Sequence, residues 1–317
     1  MNILLNNYCN LNCEYCFANK VRAEHAENMK LEDFKWILQF LKASNNLDVR
    51  LLGGEPTLHP HFMDFVLEAA VTGFKHIHVF SNGTFTPKIG YFLTCLAEKM
   101  STSLLLNYNA PEIIGDATNE LIHAHLQEFQ HSRVKVSLGI NFYSTAQDYS
   151  YVIDAASRYG IESIRWSLVV PNSEEKAAHP REYFKQFTPL IMQFIRDATL
   201  QGLKPCVDCN NIPLCLIDDE TLRWLSLVAA SNTRVSVCSP VIDVLPTLEA
   251  IRCFAFNDYK VNIKEFANIQ DLHKHFENQI DAKLMGSPLF TECLDCASYQ
   301  LRNKSCACLA YSRRDAV

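Results

Sequence analysis

A short apolar run followed at once by three closely spaced cysteines decides how this chain folds: residues 2–16 read NILLNNYCNLNCEYC. The segment Asn2–Tyr8 predicts a β-strand. Cys9, Cys13 and Cys16 follow in the loop after it, with the spacing CxxxCxxC. Three thiolates in so short a loop can hold one face of a [4Fe–4S] cluster, and because such a cluster normally takes four cysteines, one iron stays open. A Zn²⁺ ion with a distant fourth ligand is the alternative.

Beyond this loop, strand-like and helix-like segments alternate as far as Gly202. Further strands are predicted at Asp48–Leu52, His76–Ser81, Ser103–Tyr108, Arg133–Phe142 and Ser163–Val170. The helices predicted between and after them are Leu31–Ala43, His61–Thr72, Lys88–Met100, Asn119–Gln130, Ala146–Arg158 and Arg181–Gln201. A βα unit repeated six times predicts a parallel sheet covered by helices, in the α/β class. The sheet would be either open or curled into an incomplete barrel.

The fifth predicted strand has two unlike faces. Its apolar residues Val134, Val136, Leu138, Ile140 and Phe142 alternate with Lys135, Ser137, Gly139 and Asn141. A strand between two helix layers is normally apolar on both faces. We therefore expect the polar face to line a cavity, with an edge strand wetted on one side as the alternative.

Charge and composition exclude several classes of partner. The chain has 29 Lys+Arg against 35 Asp+Glu, a net charge of −6, which gives no reason to expect nucleic acid or an anionic membrane. No apolar run approaches the roughly 18 residues of a membrane helix, and the first residues lack the basic segment of a signal peptide. We therefore expect a cytoplasmic protein. In that compartment its 13 cysteines are metal ligands or catalytic thiols more often than disulfides.

Several motifs agree with the cysteine loop in their order along the chain. Gly53-Gly54-Glu55-Pro56 ends the second strand, Ser81-Asn82-Gly83 ends the third, and Tyr15 directly precedes the third cysteine. With CNLNCEYC, these resemble the motifs of the radical S-adenosylmethionine (radical SAM) superfamily: its GGEP, its Thr-Asn-Gly and its aromatic residue before the last cysteine. Ser137 falls where relatives place a SAM-contacting serine.

This resemblance implies a fold, a site and a chemistry. The fold is a partial (β/α)6 TIM-like barrel over residues 1–203, with a [4Fe–4S] cluster on Cys9, Cys13 and Cys16 whose open iron binds SAM. The cofactor-binding residues it implies are Tyr15, Gly53, Gly54, Glu55, Ser81, Asn82 and Ser137. The two glycines allow the backbone to approach a ligand closely, and the Glu55 carboxylate would face the amine of SAM. An electron from a donor such as flavodoxin or ferredoxin would cleave SAM to a 5′-deoxyadenosyl radical that abstracts hydrogen from a substrate.

The end of the chain resembles a second feature of that superfamily, the SPASM-type extension with auxiliary [4Fe–4S] clusters. We expect this domain at residues 204–317, mostly loop-like apart from a helix at Ile269–Ile280. Its candidate metal ligands are Cys206, Cys209, Cys215, Cys238, Cys253, Cys293, Cys296, Cys306 and Cys308. The closing pattern CxxC-x9-C-x-C departs from the usual CxxC-x5-C-x3-C, and Leu248 replaces a usual glycine, so the ligand assignment stays open. Two clusters would use eight of these nine cysteines; one cluster, or Zn²⁺ at Cys206 and Cys209, is the alternative.

Three isolated residues have simpler interpretations. Cys95, within a predicted amphipathic helix, is expected to be a small buried hydrophobe. His76 and His78 share one face of the third strand, and local hydrogen bonds are expected to satisfy them rather than a metal ion.

The resemblance favours a peptide-modifying enzyme, because most relatives with such an extension act on ribosomally made peptides, forming cross-links or thioethers or oxidising them. Only eight residues precede Cys9, so we expect a peptide substrate to bind directly or through a separate recognition protein. The first alternative is a small-molecule dehydrogenase or epimerase, acting for example on an aminoglycoside-type sugar. The second is an iron–sulfur electron carrier without catalytic activity. No catalytic residue is assigned.

Overall fold

The structure of the chain is a computed structural model that describes residues 1–16, 27–169, 180–210, 212–228, 241–284 and 290–297. Three predicted ligands, Cys238, Cys306 and Cys308, lie outside these residues. The backbone divides into two compact units. The first consists of residues 1–138 and 241–275, and the second of residues 139–240 and 276–317. The division at residues 203 and 204 that the sequence suggests stays a prediction.

Strands and helices alternate through most of the described chain. The strands are β1 (Asn2–Leu4), β2 (Asp48–Leu52), β3 (His76–Ser81), β4 (Ser101–Asn107), β5 (Lys135–Phe142), β6 (Ser163–Leu168), β7 (Lys204–Cys209), β8 (Asp243–Val244), β9 (Glu249–Ile251) and β10 (Val261–Asn262). The helices are α1 (Leu31–Ala43), α2 (Phe62–Thr72), α3 (Pro87–Ala97), α4 (Pro111–Ile114), α5 (Asp116–Gln130), α6 (Ser150–Arg158), α7 (Pro180–Leu200), α8 (Asp219–Val228), α9 (Ile269–Phe276) and α10 (Ala282–Leu284). The predicted bounds of α1, β2 and β3 are confirmed.

The sheet of the first unit has the strand order β10-β9-β8-β1-β2-β3-β4. Strands β1 to β4 are parallel neighbours, and β8 also pairs in parallel with β1, whereas β9 runs antiparallel to both β8 and β10. These parallel pairs confirm the predicted α/β class. Because parallel strands end at the same edge of a sheet, the loops that follow β1, β2, β3 and β4 meet there.

Helix α1 shows how the first unit is held together. Its side chains Phe34, Ile37 and Leu38 are fully buried, and the Phe34 ring lies 4.8 Å from the ring of Phe65 on α2. Each such burial stabilises the fold by about 1.5–3 kcal/mol relative to an exposed side chain. The apolar spacing of three and four residues therefore forms the face that packs onto the sheet layer.

Strand β1 is shorter than predicted, since it ends at Leu4 rather than Tyr8. Beyond Leu4, backbone groups and asparagine side chains both contact the end of β2 and the segment that follows it, beginning with the amide of Leu5, which donates to the carbonyl of Leu52 at 2.8 Å. The Asn6 side-chain amide donates to the carbonyl of Glu55 at 2.8 Å, and the side-chain oxygen of Asn7 accepts from the amide of Glu27 at 2.8 Å. The chain thus stays hydrogen-bonded to the segment after β2 beyond the end of the strand, through its backbone and its asparagines.

The second unit extends the βα alternation one strand beyond the prediction. Strand β7 follows α7 and pairs in parallel with β6, so the expectation that the alternation stops after Gly202 is wrong. Pro205 suggested a break there, but proline is tolerated in an edge strand, and β7 is the last strand of the sheet order. Helix α8 was also missed, although Asp218 caps its first turn by accepting from the amide of Thr221 at 2.8 Å.

The structure also bears on two further expectations, the burial of Cys95 and the two unlike faces of β5. Cys95 is exposed rather than buried, because the buried face of α3 is formed by Gly90, Leu93, Leu96 and Ala97. On β5, Leu138, Ile140 and Phe142 are buried while Ser137 and Asn141 are half-buried, so the two faces do differ. A cavity against the polar face stays a prediction.

Among the helices that the structure describes, none has the length and apolar character needed to cross a bilayer.

Candidate functional site

The three N-terminal cysteines lie in the loop that leaves β1 at the carboxyl edge of the sheet. Cys9, Cys13 and Cys16 are all half-buried, and a turn is closed by the amide of Cys16 donating to the carbonyl of Cys13 at 3.1 Å. Across the described residues, no three His, Cys, Asp or Glu side chains converge closely enough to form a metal-ion cage. The thiols therefore share one loop without forming a preformed cage.

Hydrogen bonds from neighbouring strands reach two of these thiols. The side-chain amide of Asn82, at the end of β3, donates to Cys9 Sγ at 3.4 Å. The side-chain amide of Asn109, beyond the end of β4, donates to Cys13 Sγ at 3.7 Å. Such N–H···S bonds stabilise thiolate charge and raise the reduction potential of a cluster bound to it. Three thiols in one loop, two of which accept hydrogen bonds from amide groups, fit the binding of an iron–sulfur cluster.

The two glycines of the GGEP motif are required by space. A Cβ on Gly54 would lie 2.1 Å from the carbonyl oxygen of Tyr8, and one on Gly53 would lie 2.5 Å from the side-chain oxygen of Asn6. The amides of Gly54 and Glu55 donate to the carbonyls of Asn6 and Tyr8 at 3.1 and 2.8 Å. The segment between β1 and the cysteine loop thus occupies the space that side chains at these two positions would fill. A direct contact of these glycines with SAM stays a prediction.

Glu55 is fully buried and joins the ends of β2 and β3. Its Oε1 accepts from the hydroxyls of Thr57 and Ser81 at 2.5 and 2.9 Å and from the amide of Thr57 at 3.2 Å. Its Oε2 accepts from the amide of Asn82 at 2.7 Å. Burial raises the pKa of the Glu55 carboxyl, and these hydrogen bonds offset the effect only in part. The carboxyl is engaged by the protein, and its contact with the amine of SAM stays a prediction.

Ser81 and Asn82 connect Glu55 to the cysteine loop. The Asn82 amide group that contacts Cys9 also donates to Asn10 at 3.0 Å. Thr84 completes the group, because its hydroxyl donates to the side-chain oxygen of Asn82 at 2.6 Å. The structure therefore brings Cys9, Glu55, Ser81 and Asn82 together. It places Ser137 half-buried on β5, where its SAM contact stays a prediction.

The sequence motifs did not point to two asparagines of this site, Asn107 at the end of β4 and Asn109 just beyond it. Asn107 donates to the Tyr15 hydroxyl at 3.2 Å, and that hydroxyl donates to the side chain of Asn109, which in turn contacts Cys13. Tyr15 is thus held beside the cysteine loop by polar residues at a strand end. The signal was available, since polar side chains at the carboxyl end of a parallel strand are typical of ligand sites.

In the second unit, the structure brings part of the C-terminal cysteine set together. Cys215, Cys293 and Cys296 lie within electrostatic range of one another, with Cys215 exposed and Cys293 buried. Burial raises the pKa of the Cys293 thiol, and Cys296 and Glu292 add to the rise. Arg181 opposes that rise, and its guanidinium lies 3.2 Å from Glu292.

The other described cysteines of this set have different surroundings. Cys206 is half-buried on β7, and burial raises its pKa against the nearby charges of Arg165 and Lys204. Cys253 belongs to the first unit, where its Sγ accepts from the amide of Ala255 at 3.4 Å. Cys209 ends β7.

The histidines of β3 agree with their simpler interpretation. His78 Nδ1 lies 2.5 Å from the hydroxyl of Ser103, which is the expected local hydrogen bond. His76 is exposed, with its ring 6.4 Å from that of His78.

Comparison with known proteins gives one family and several relatives. The family model described as the radical SAM superfamily matches residues 3–175, more than half of the chain. The 7,8-dihydro-6-hydroxymethylpterin dimethyltransferase of Methanocaldococcus jannaschii is 30% identical over 106 residues, which are 33% of this chain and 21% of that protein. The sporulation killing factor maturation protein SkfB of Bacillus subtilis is 35% identical over 79 residues, which are 25% of this chain and 19% of that protein.

A solved structure covers nearly the whole chain. Native anSMEcpe with bound AdoMet superposes with a TM-score of 0.66 at 17% identity, covering 98% of this chain and 92% of that chain. The same protein with AdoMet and a Cp18Cys peptide gives a TM-score of 0.63. This similarity shows the fold, and it confirms the predicted fold class.

Proposed function

The chain belongs to the radical SAM superfamily, and from this premise we propose that it is a peptide-modifying enzyme with SAM bound beside Cys9, Cys13 and Cys16. Membership makes it an enzyme that uses a [4Fe–4S] cluster and SAM. The main structural support for a cluster at this site is the pair of side-chain amides that donate to its thiols, Asn82 to Cys9 and Asn109 to Cys13.

When bound, the cluster and SAM supply a 5′-deoxyadenosyl radical that removes a hydrogen atom from the substrate. The chain's own residues position these groups. Glu55 fixes the ends of β2 and β3 relative to each other, and Asn82 transmits that position to Cys9. The hydrogen bonds of Tyr15 to Asn107 and Asn109 tie the loop to the end of β4. Because these residues lie on three adjacent strands, the thiols are oriented by the sheet itself.

A peptide substrate is supported by two relatives. SkfB is named as a maturation protein for a killing factor, and anSMEcpe has been solved with a bound peptide. The chain covers about a fifth of the length of each of the two curated relatives named above, so the substrate is part of the proposal. A small-molecule substrate is the second candidate, because the pterin dimethyltransferase acts on a small molecule by its name.

We also propose auxiliary [4Fe–4S] chemistry in the second unit, with Cys215, Cys293 and Cys296 as ligands of one cluster. Their mutual proximity supports it. Two auxiliary clusters remain preferred to one, with Cys206, Cys209, Cys238, Cys253, Cys306 and Cys308 as the further candidate ligands. The electron donor would be a flavodoxin or ferredoxin.

The experiment uses the full chain, reconstituted anaerobically with iron and sulfide, reduced with dithionite and supplied with SAM. Release of 5′-deoxyadenosine is expected, and its absence would contradict the enzymatic reaction. Short peptides encoded beside the gene, and separately small-molecule candidates, are then added and analysed by mass spectrometry. Loss of two hydrogen atoms from a peptide indicates oxidation or cross-linking. Deuterium uptake from D₂O without that loss indicates epimerisation, and change in small molecules alone contradicts the peptide proposal.

A further inference from the structure

The side-chain amide of Asn109 joins a tyrosine hydroxyl to a cysteine sulfur. Its oxygen accepts a hydrogen bond from the hydroxyl of Tyr15, and its nitrogen donates to Cys13 Sγ at 3.7 Å. The hydroxyl oxygen of Tyr15 in turn accepts from the side-chain amide of Asn107 at 3.2 Å. The four side chains form a chain in which every hydrogen bond points the same way, from Asn107 to the sulfur of Cys13.

The direction of this chain depends on the Tyr15 hydroxyl. A primary amide has nearly the same shape in both orientations, so its hydrogen bonds decide which end, the oxygen or the nitrogen, faces a given neighbour. Asn109 is only 6% exposed, so water has little access to replace a lost partner. The Tyr15 hydroxyl keeps the oxygen of Asn109 turned away from Cys13 and the nitrogen turned toward it. Because the hydroxyl oxygen accepts from Asn107, its own proton is left for Asn109.

The amide that donates to Cys9 is held in a different way. Asn82 donates to this sulfur at 3.4 Å, and its oxygen accepts from both the backbone amide and the hydroxyl of Thr84, at 2.9 and 2.6 Å. A backbone donor remains when a side chain is replaced. The backbone therefore secures the orientation of Asn82, whereas that of Asn109 depends, within the described residues, on the side chain of Tyr15.

We infer that Tyr15 is a positioning residue for the N-terminal cluster: its hydroxyl holds the nitrogen of Asn109 toward Cys13 Sγ and thereby raises the reduction potential of the cluster. Tyr15 acts here through Asn109, and this role of its hydroxyl is separate from the predicted contact of Tyr15 with SAM. An N–H···S bond favours the reduced cluster because that state has more negative charge on its sulfur ligands. The inference rests on the proposed function, since it needs a [4Fe–4S] cluster on Cys9, Cys13 and Cys16.

The test is a redox titration of the reconstituted full chain without SAM, so that a lost contact with SAM does not enter the result. Electron paramagnetic resonance follows the N-terminal cluster, identified as the signal that the Cys9/Cys13/Cys16 triple alanine variant lacks. Tyr15→Phe is expected to make the potential more negative by as much as Asn109→Ala does. A 2- to 10-fold change in the ratio of reduced to oxidised cluster corresponds to about 20–60 mV, at about 59 mV per tenfold change.

A double-mutant cycle separates positioning through Asn109 from a direct effect of the tyrosine. The double variant Tyr15→Phe/Asn109→Ala should have the potential of Asn109→Ala alone, because the hydroxyl has nothing to orient once the amide is gone. Two independent effects would instead add.

Tyr8→Phe is the matched control. Like Tyr15, Tyr8 is half-buried and directly precedes a cysteine of the loop, but its hydroxyl bonds to the side chain of Asn28 and the carbonyl of Leu58. Its loss should leave the potential unchanged, which separates the role of the Tyr15 hydroxyl from a general loosening of the loop.

Iron content is measured for every variant. If Tyr15→Phe binds less iron, Asn107→Ala decides, because it keeps both Tyr15 and Asn109 and should still shift the potential in the same direction by a smaller amount. An unchanged potential in the deciding variant or in Asn109→Ala, additive shifts in the double variant, or an equal shift in Tyr8→Phe would overturn the inference. A triple alanine variant that keeps every cluster signal would instead refute the cluster site of the proposed function, so the two failures are distinct.

Discussion

The two cysteine-bearing regions of this chain differ in what surrounds their thiols. In the N-terminal loop, amide groups from the ends of β3 and β4 donate to Cys9 and Cys13. In the C-terminal region, the pKa of the buried Cys293 thiol is raised, first by burial and then by Cys296 and Glu292, with the charge of Arg181 opposing. In the first region, the protein itself supplies hydrogen-bond donors to two of the sulfur atoms. The second holds Cys293 in a buried setting that disfavours the charged thiolate until a metal binds.

The largest expected effect comes from removing the N-terminal thiols. Replacing Cys9, Cys13 and Cys16 together by alanine should remove about four irons and all SAM cleavage, because these three thiols are the proposed protein ligands of the open-iron cluster. Iron is measured by chemical assay and cleavage by release of 5′-deoxyadenosine. Cys95→Ala is the matched control, since this thiol is exposed on α3 and should leave both quantities unchanged. Persistent cleavage in the triple variant would refute the assignment.

A second test concerns the C-terminal thiols. If Cys215 and Cys293 bind one cluster, Cys215→Ala and Cys293→Ala should each lower the iron content by up to about four, and the double variant should lose no more than either alone. Additive losses would show that the two cysteines serve different clusters. Cys206→Ala provides the contrast, because the charges that act on this thiol are those of Arg165 and Lys204 rather than those of the other cysteines, and its loss should add to that of Cys293.

The glycine at the β2 exit tests how tightly the N-terminal loop is packed. Gly54→Ala should destabilise the fold by about 3 kcal/mol or more, because the new Cβ meets backbone atoms of Tyr8 that cannot turn aside. Gly90→Ala is the comparison: its Cβ would lie 3.1 Å from the buried His125 ring and 3.2 Å from the Glu128 carboxylate. It should cost less than Gly54→Ala, because these neighbours are side-chain rather than backbone atoms and alanine favours the helix by up to about 1 kcal/mol. Chemical denaturation measures both. Equal stability of Gly54→Ala and wild type would show that the loop has room to move.

The smallest expected effect is on the reduction potential of the N-terminal cluster. Asn82→Ala removes the N–H···S bond to Cys9 and should make the potential about 20–60 mV more negative, the equivalent of one hydrogen bond for a one-electron couple. Redox titration followed by electron paramagnetic resonance measures it. Thr84→Val is the control, because it removes hydrogen bonds to Asn82 without removing a donor to sulfur. An unchanged potential in Asn82→Ala would mean that this amide does not act on the cluster.

Much of this site was predictable because its chemistry depends on residue type and local spacing. CxxxCxxC places three thiols in one loop in any fold, and GGEP and Ser-Asn-Gly follow predicted strands whose bounds the structure confirms. Other features were not predictable from local patterns. Cys95 was expected to be buried, yet α3 presents it outward, since which face of a helix is covered depends on its neighbours. Pro205 indicated a break, yet an edge strand accepts it.

The sequence by itself determined the family, the cluster-binding loop and the α/β alternation, because these follow from residue chemistry and from periodicities of a few residues. Only the tertiary structure decided how the parts serve each other. It showed that the glycines of GGEP leave space for the segment between β1 and the cysteine loop. It also showed that Thr57, Ser81 and Asn82 donate to Glu55, and that the side chain of Asn109 donates to Cys13. Such pairings join residues far apart in the chain. Their distances depend on strand order and register, which no local pattern encodes.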